Sequence, residues 1–115
     1  MKFKPYIYEI QIFDARQDEF RFTEIPSIPV LDEEEAEIFF EQNKDLVFNR
    51  ILQAVSEGLY ASRDTIKLFE LNGTNVYITS NKEYWKSGVQ QALDHFVLTE
   101  RYDKCITAHQ ILQKL

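Results

Sequence analysis

"DTIKLFELNGTNVYITS", residues 64–80, decides the fold. β-Branched and aromatic residues flank Asn72-Gly73, a dipeptide that marks a tight hairpin turn. Two registers compete. A two-residue loop pairs Leu71 with Thr74 and scatters the apolar side chains over both faces. A three-residue loop closing with Gly73 in the left-handed conformation pairs Glu70 with Thr74, and gathers Ile66, Leu68, Val76 and Ile78 on one face. A slip of one residue turns every side chain over, so the second register is the expectation. Phe69 and Tyr77 then share the other face with Lys67 and Thr79, a surface only partly polar.

Upstream, "PYIYEIQIFDARQDEFRFTEIP" opens with alternation: Tyr6, Tyr8, Ile10 and Ile12 on one side, Glu9 and Gln11 on the other. Phe20, Phe22, Thr23 and Ile25 suggest a returning strand, so residues 4–25 read as a hairpin that Pro26 and Pro29 end. At Asp32 a helix begins, with Glu35 placed to complete a capping box. Ala36, Phe39, Phe40, Val47, Phe48, Ile51, Leu52 and Val55 keep helical spacing as far as Gly58, read as the stop signal. The polar "QNKD" at residues 42–45 is either a kink or one turn of a single long helix, and the single helix is expected.

Downstream, Ser80 and Glu83 read as a second capping box, opening a helix with Trp85, Val89, Ala92, Leu93 and Phe96 inward. Gly88 lies on the same face and would allow a close approach. After a break near Leu98 and Thr99, a last helix spaces Tyr102, Cys105, Ile106, His109, Leu112 and Leu115. The order is β-β-α-β-β-α-α. It predicts an α+β fold: one two-layer domain over residues 1–115, an antiparallel sheet with helices packed on one face, and residues 81–115 as a C-terminal helical hairpin.

At 115 residues the chain can bury one continuous core without metal or disulfide staples. Its net charge of −6 disfavours direct binding to nucleic acid or anionic lipid, which require a positive field. The single cysteine, Cys105, cannot form an intrachain disulfide, no signal-like leader opens the chain, and no apolar stretch approaches bilayer length. A cytoplasmic protein without membrane attachment is expected.

Candidate chemistry is sparse. His95, Cys105 and His109 are the only soft metal ligands, with Asp94 or Asp103 as a conceivable fourth, but the spacing matches no zinc signature and a buried structural cysteine is the simpler reading. The same residues lack the donor loop a Cys/His nucleophile needs. No catalytic residue, metal or cofactor is expected. Tyr6, Tyr8, Phe20 and Phe22 could stack bases, yet their surround of Glu9, Asp18, Glu19 and Glu24 opposes this. Asn72-x-Thr74 is turn chemistry. The acidic face Glu33, Glu34, Glu37 and Glu41 could imitate a nucleic acid and occupy a basic protein, which supplies an alternative function as a decoy; favourable charges at a helix N-terminus explain most of it more simply.

"YDKCITAHQILQKL", residues 102–115, with Leu93 and Glu100 before it, resembles the UVR motif, a helical hairpin of nucleotide-excision-repair proteins and Clp-protease adaptors. Tyr102, Cys105, Leu112 and Leu115 match it; His109 and Gln110 stand where the motif has an Arg-Asp pair. The resemblance, over residues 93–115, implies protein–protein docking, often with a second copy. Compact, acidic, aromatic-rich chains of this size also resemble small accessory proteins of large tailed bacteriophages. The function expected is therefore a non-enzymatic adaptor or accessory protein, binding another protein or itself through Tyr102, Ile106, His109, Leu112 and Leu115. Whether that stripe is instead core depends on what covers Ile66, Leu68, Val76 and Ile78; packing on the sheet is the expectation, and Trp85 with Phe96 in that place would free the last helix to dimerise.

Overall fold

A computed structural model of the chain describes residues 11–12, 25–74 and 76–115. In chain order these form β1 (Gln11–Ile12), β2 (Ser27–Ile28), α1 (Glu33–Gln42), α2 (Lys44–Tyr60), β3 (Thr65–Leu71), β4 (Val76–Asn81), a 3-10 turn (Lys82–Tyr84), α3 (Trp85–Leu98) and α4 (Tyr102–Lys114). The mixed α and β character is as expected. The order differs, because the long helix is two.

At the central hairpin Asn72 (φ 43°) and Gly73 (φ 70°) are both left-handed, and the Thr74 amide donates to the Leu71 carbonyl at 2.9 Å. This is the tight turn that the expected register had set aside. The strands then pair in neither register: Glu70 lies opposite Tyr77 and Phe69 opposite Ile78, and past a bulge between Lys67 and Phe69, Lys67 lies opposite Thr79. The bulge inserts an extra residue, so Phe69 moves to the face of its partner Ile78 and away from that of Tyr77. Phe69 is fully buried against Phe40, with ring centroids 5.4 Å apart. On the other face the Lys67 ammonium sits 5.2 Å from the Tyr77 ring centre.

A bulge exposes carbonyls to an apolar interior, where unpaired acceptors are costly. Arg50 of α2 supplies the donors: Nε to the Leu68 carbonyl and Nη2 to the Lys67 carbonyl, both at 2.8 Å, with Nη1 donating to Gln53 Oε1 at 3.1 Å. Burial pushes its guanidinium below the usual value while nearby Glu57 pulls it back up. It stays a cation.

The sheet order is β1-β4-β3-β2. β1 pairs antiparallel with β4, but β2 runs parallel to β3, so the sheet is not wholly antiparallel and the two N-terminal strands occupy opposite edges. Of the expected hairpin, residues 4–10 and 13–24 lie outside the described ones. Ile25 is in no strand; β2 lies instead between the two prolines. Proline is tolerated here because an edge strand needs few amides, and the Pro26 carbonyl still accepts from Glu70 at 2.9 Å.

Asp32 caps α1 through its Oδ1, which accepts from the Glu35 amide at 2.9 Å, and Glu35 Oε2 accepts from the Leu31 amide at 3.0 Å. The reciprocal bond thus reaches one residue beyond the usual capping box. α1 ends at Asn43, whose Nδ2 donates to the Phe39 carbonyl at 2.9 Å while its own carbonyl accepts from Val47. A short amide side chain that competes for the backbone accounts for the break. α2 runs through Gly58 and stops at a left-handed Ser62 (φ 56°), with Arg63 donating to the Gly58 carbonyl and Ser62 to that of Leu59. That pattern is a Schellman cap without its usual glycine.

The buried stripe of α2, including Val47, Ile51, Leu52 and Val55, covers β3 and meets α3. Ser80 is not a cap: it is buried in β4, and its carbonyl accepts from Trp85 Nε1 at 3.0 Å. Trp85 is fully buried against Gly58 and Ile66. α4 packs on α3 and α2, away from the sheet, so the expected packing of Tyr102, Ile106 and Leu112 on the strands is not observed. Among the described residues no helix is long and apolar enough to cross a membrane.

Candidate functional site

The α3–α4 hairpin is built by its turn. Thr99 caps α3, Glu100 is left-handed (φ 59°), Arg101 donates to the Phe96 carbonyl at 2.8 Å and Glu100 to that of Val97 at 3.2 Å. This second Schellman cap reverses the chain within three residues and lays α4 back along α3. Small residues then set how α4 seats. Cys105 and Ala108 are buried together with Ile111, while Leu112 and Leu115 are half-buried and pack on the core. The inner stripe is therefore 105–108–111/112–115.

Its rotation leaves the large apolar residues outside. Tyr102 is 62% exposed and Ile106 61%, one helical turn apart, and before the turn Val97 and Leu98 are 54% and 83% exposed. His109 continues the outer stripe and is also exposed. The five expected docking residues thus divide, with Tyr102, Ile106 and His109 on the surface and Leu112 and Leu115 half within the core. Val97 and Leu98, unremarked in the sequence because they end the preceding helix, belong with the exposed set. Of the conditions set by the sequence, Trp85 and Phe96 are buried inside, and Tyr102 and Ile106 on the outer side of the last helix are exposed.

Charge is unevenly distributed around this hairpin. Residues 85–115 hold four Lys or Arg and three Asp or Glu; the rest of the chain holds nine and sixteen. On α1, Glu33, Glu34 and Glu41 are exposed and Glu37 is half-buried, with Glu41 3.6 Å from Lys44. Leu31 and Ile38 are exposed among them.

The soft ligands differ in their surroundings. His95 Nε2 lies 2.5 Å from Asp45 Oδ1, and its ring packs against Phe48 and Phe96, each with centroids 5.1 Å away. Cys105 is buried and His109 exposed. Among the described residues no three His, Cys, Asp or Glu are grouped to hold a metal ion. The residue that sequence reasoning missed is Arg50. Its signal was available: it is a cation falling on the same helical face as Val47 and Ala54, and a charge on a buried stripe needs a partner.

The chain matches no protein-family model, no curated protein and no solved structure.

Proposed function

We propose that this protein is a docking module that pairs with a second copy of itself through the outer side of the α3–α4 hairpin. The observation that supports the reading is the exposure of Val97, Leu98, Tyr102 and Ile106, four large apolar residues on the two sides of one tight turn. Single exposed apolar residues are ordinary, but a patch on the order of several hundred Å2 is the size at which surfaces serve contact. The UVR-like spacing at Tyr102 and Cys105 points the same way.

A second copy suits the charge. The hairpin is almost neutral, whereas the remainder of the chain is strongly acidic, so two copies repel least when the hairpins meet and the acidic regions stay apart. Glu100, Arg101, Asp103 and Lys104 surround Tyr102 with two charges of each sign, a rim that can pair with its own image across a two-fold axis. Such a patch is below the roughly 800 Å2 per partner of a standard interface, so a weak dimer with a Kd on the order of micromolar is expected. Sedimentation equilibrium over a concentration series should follow a monomer–dimer isotherm, and Tyr102→Ser with Ile106→Ser should hold the protein monomeric at an unchanged melting temperature. A wild-type protein monomeric at all concentrations would overturn the reading. The decoy alternative predicts instead that charge reversal at Glu33, Glu34 and Glu41 abolishes binding to a basic protein, with steep salt dependence.

A further inference from the structure

A groove between α2 and the start of α4 has a different chemistry from the apolar docking patch, although Arg101 and Lys104 belong to the border of both. It encloses about 400 Å3, within the range of small-ligand sites, and its walls include Pro26, Leu46, Asn49, Gln53, Arg101 and Lys104. Arg101, the N-cap of α4, and Lys104, in its first turn, both line the groove. Arg101 has a half-exposed side chain and a loose ion pair to Asp103, 3.6 Å away. Lys104 makes no ion pair among the described residues. Arg50 also lines the groove; its guanidinium is committed to the Lys67 and Leu68 carbonyls, but its charge remains there, shared with Glu57. The single carboxylate among the lining residues, Asp45, has its Oδ1 held by His95. Three cations and one carboxylate thus line a hollow in a chain of net charge −6.

We infer that this groove binds a small organic anion, a carboxylate or phosphate monoester carrying a compact apolar body. Arg101 and Lys104 hold the anionic group, since a planar guanidinium and a mobile ammonium together satisfy its oxygens. Leu46 and Pro26 contact the body. Asn49 and Gln53 supply amide groups that orient it, Gln53 Oε1 being already taken by Arg50.

The test is a titration of 15N-labelled full-length protein with phenyl phosphate, benzoate, inorganic phosphate and neutral benzamide, followed by amide chemical shifts. Saturable shifts at Asn49, Gln53 and residues 101–104 are expected with phenyl phosphate or benzoate, about tenfold tighter than with inorganic phosphate, and none with benzamide. Which of the two aromatic anions saturates first separates a phosphate site from a carboxylate site. Arg101→Gln with Lys104→Gln should weaken binding about tenfold or more while leaving the spectrum of the β3–β4 hairpin unchanged. If that pair perturbs the fold, Lys104→Gln alone serves, because its ammonium makes no structural ion pair among the described residues. Shifts that never saturate, that survive the substitutions, or that spread equally to Lys86 and Lys114 would overturn the inference.

Discussion

Gly58→Ala sets helix propensity against packing. Gly58 lies inside α2, where alanine is worth about 1 kcal/mol over glycine in propensity alone. The added Cβ would lie 2.6 Å from Ile66 Cγ2 and 2.8 Å from Trp85 Cη2. Both distances fall roughly an ångström inside the usual carbon–carbon separation. Neither neighbour can move cheaply: the Trp85 indole is fully buried and tied to the Ser80 carbonyl, and Ile66 is fixed in β3. Overpacking against two such groups costs about 3 kcal/mol, so the net effect is a loss of about 2 kcal/mol. Gly88→Ala is the matched control. It also lies in a helix and is buried, but its Cβ would meet only Ile51 Cγ2 at 3.5 Å, an ordinary contact, and should gain up to about 1 kcal/mol. Urea unfolding followed by the fluorescence of the single tryptophan gives both values, and the two variants should differ by about 3 kcal/mol with m unchanged. A Gly58→Ala protein as stable as the wild type would refute the placement of α2 against β3 and Trp85.

Arg50→Leu should destabilise the protein by about 3 kcal/mol, because it strips the bulge carbonyls of Lys67 and Leu68 of their donors; Arg50→Lys should recover little, lacking the planar fork that serves two acceptors, and chemical denaturation of the three proteins measures this. Glu100→Gly should raise stability by about 0.5–1 kcal/mol by relieving a left-handed residue, part of the gain being lost to unfolded-state entropy, and a melting curve no higher than that of the wild type would contradict the capping geometry. Asp32→Ala should cost about 1 kcal/mol, read the same way, since its carboxylate accepts from the Glu35 amide.

How far the sequence could be read varied with the range of the forces involved. Most local signals were sound, with Asp32 and Glu35 capping a helix, Asn72-Gly73 turning the chain and the Trp85–Phe96 stripe buried, but the Ser80–Glu83 capping box did not form and Asn43 broke the expected single helix. Readings that depended on a distant partner failed. The face that Phe69 takes turned on a bulge that Arg50 stabilises from another element, 17 and 18 residues away in sequence. Gly58 looked like a stop and is a point of contact with Ile66 and Trp85; at Gly88, expected to allow a close approach, a Cβ would meet Ile51 only at an ordinary contact distance. At α4 Tyr102 and Ile106 were expected to pack inward with Leu112, whereas Cys105, Ala108 and Ile111 form the buried stripe, with Leu112 and Leu115 half-buried beside it. That rotation leaves Tyr102 and Ile106 on the surface and not against the sheet, where they were expected to pack.

The most direct test of the docking account is disulfide trapping. In a Cys105→Ala background, Leu98→Cys and Leu31→Cys each place a thiol at an exposed apolar position, one on the hairpin and one at the start of α1. A two-fold pairing of hairpins brings the Leu98 positions of two copies close together. Under mild oxidation Leu98→Cys should form covalent dimers rapidly, and Tyr102→Ser with Ile106→Ser should abolish them, while Leu31→Cys stays monomeric. Equal rates for the two thiols, or dimers that persist without Tyr102 and Ile106, would contradict it.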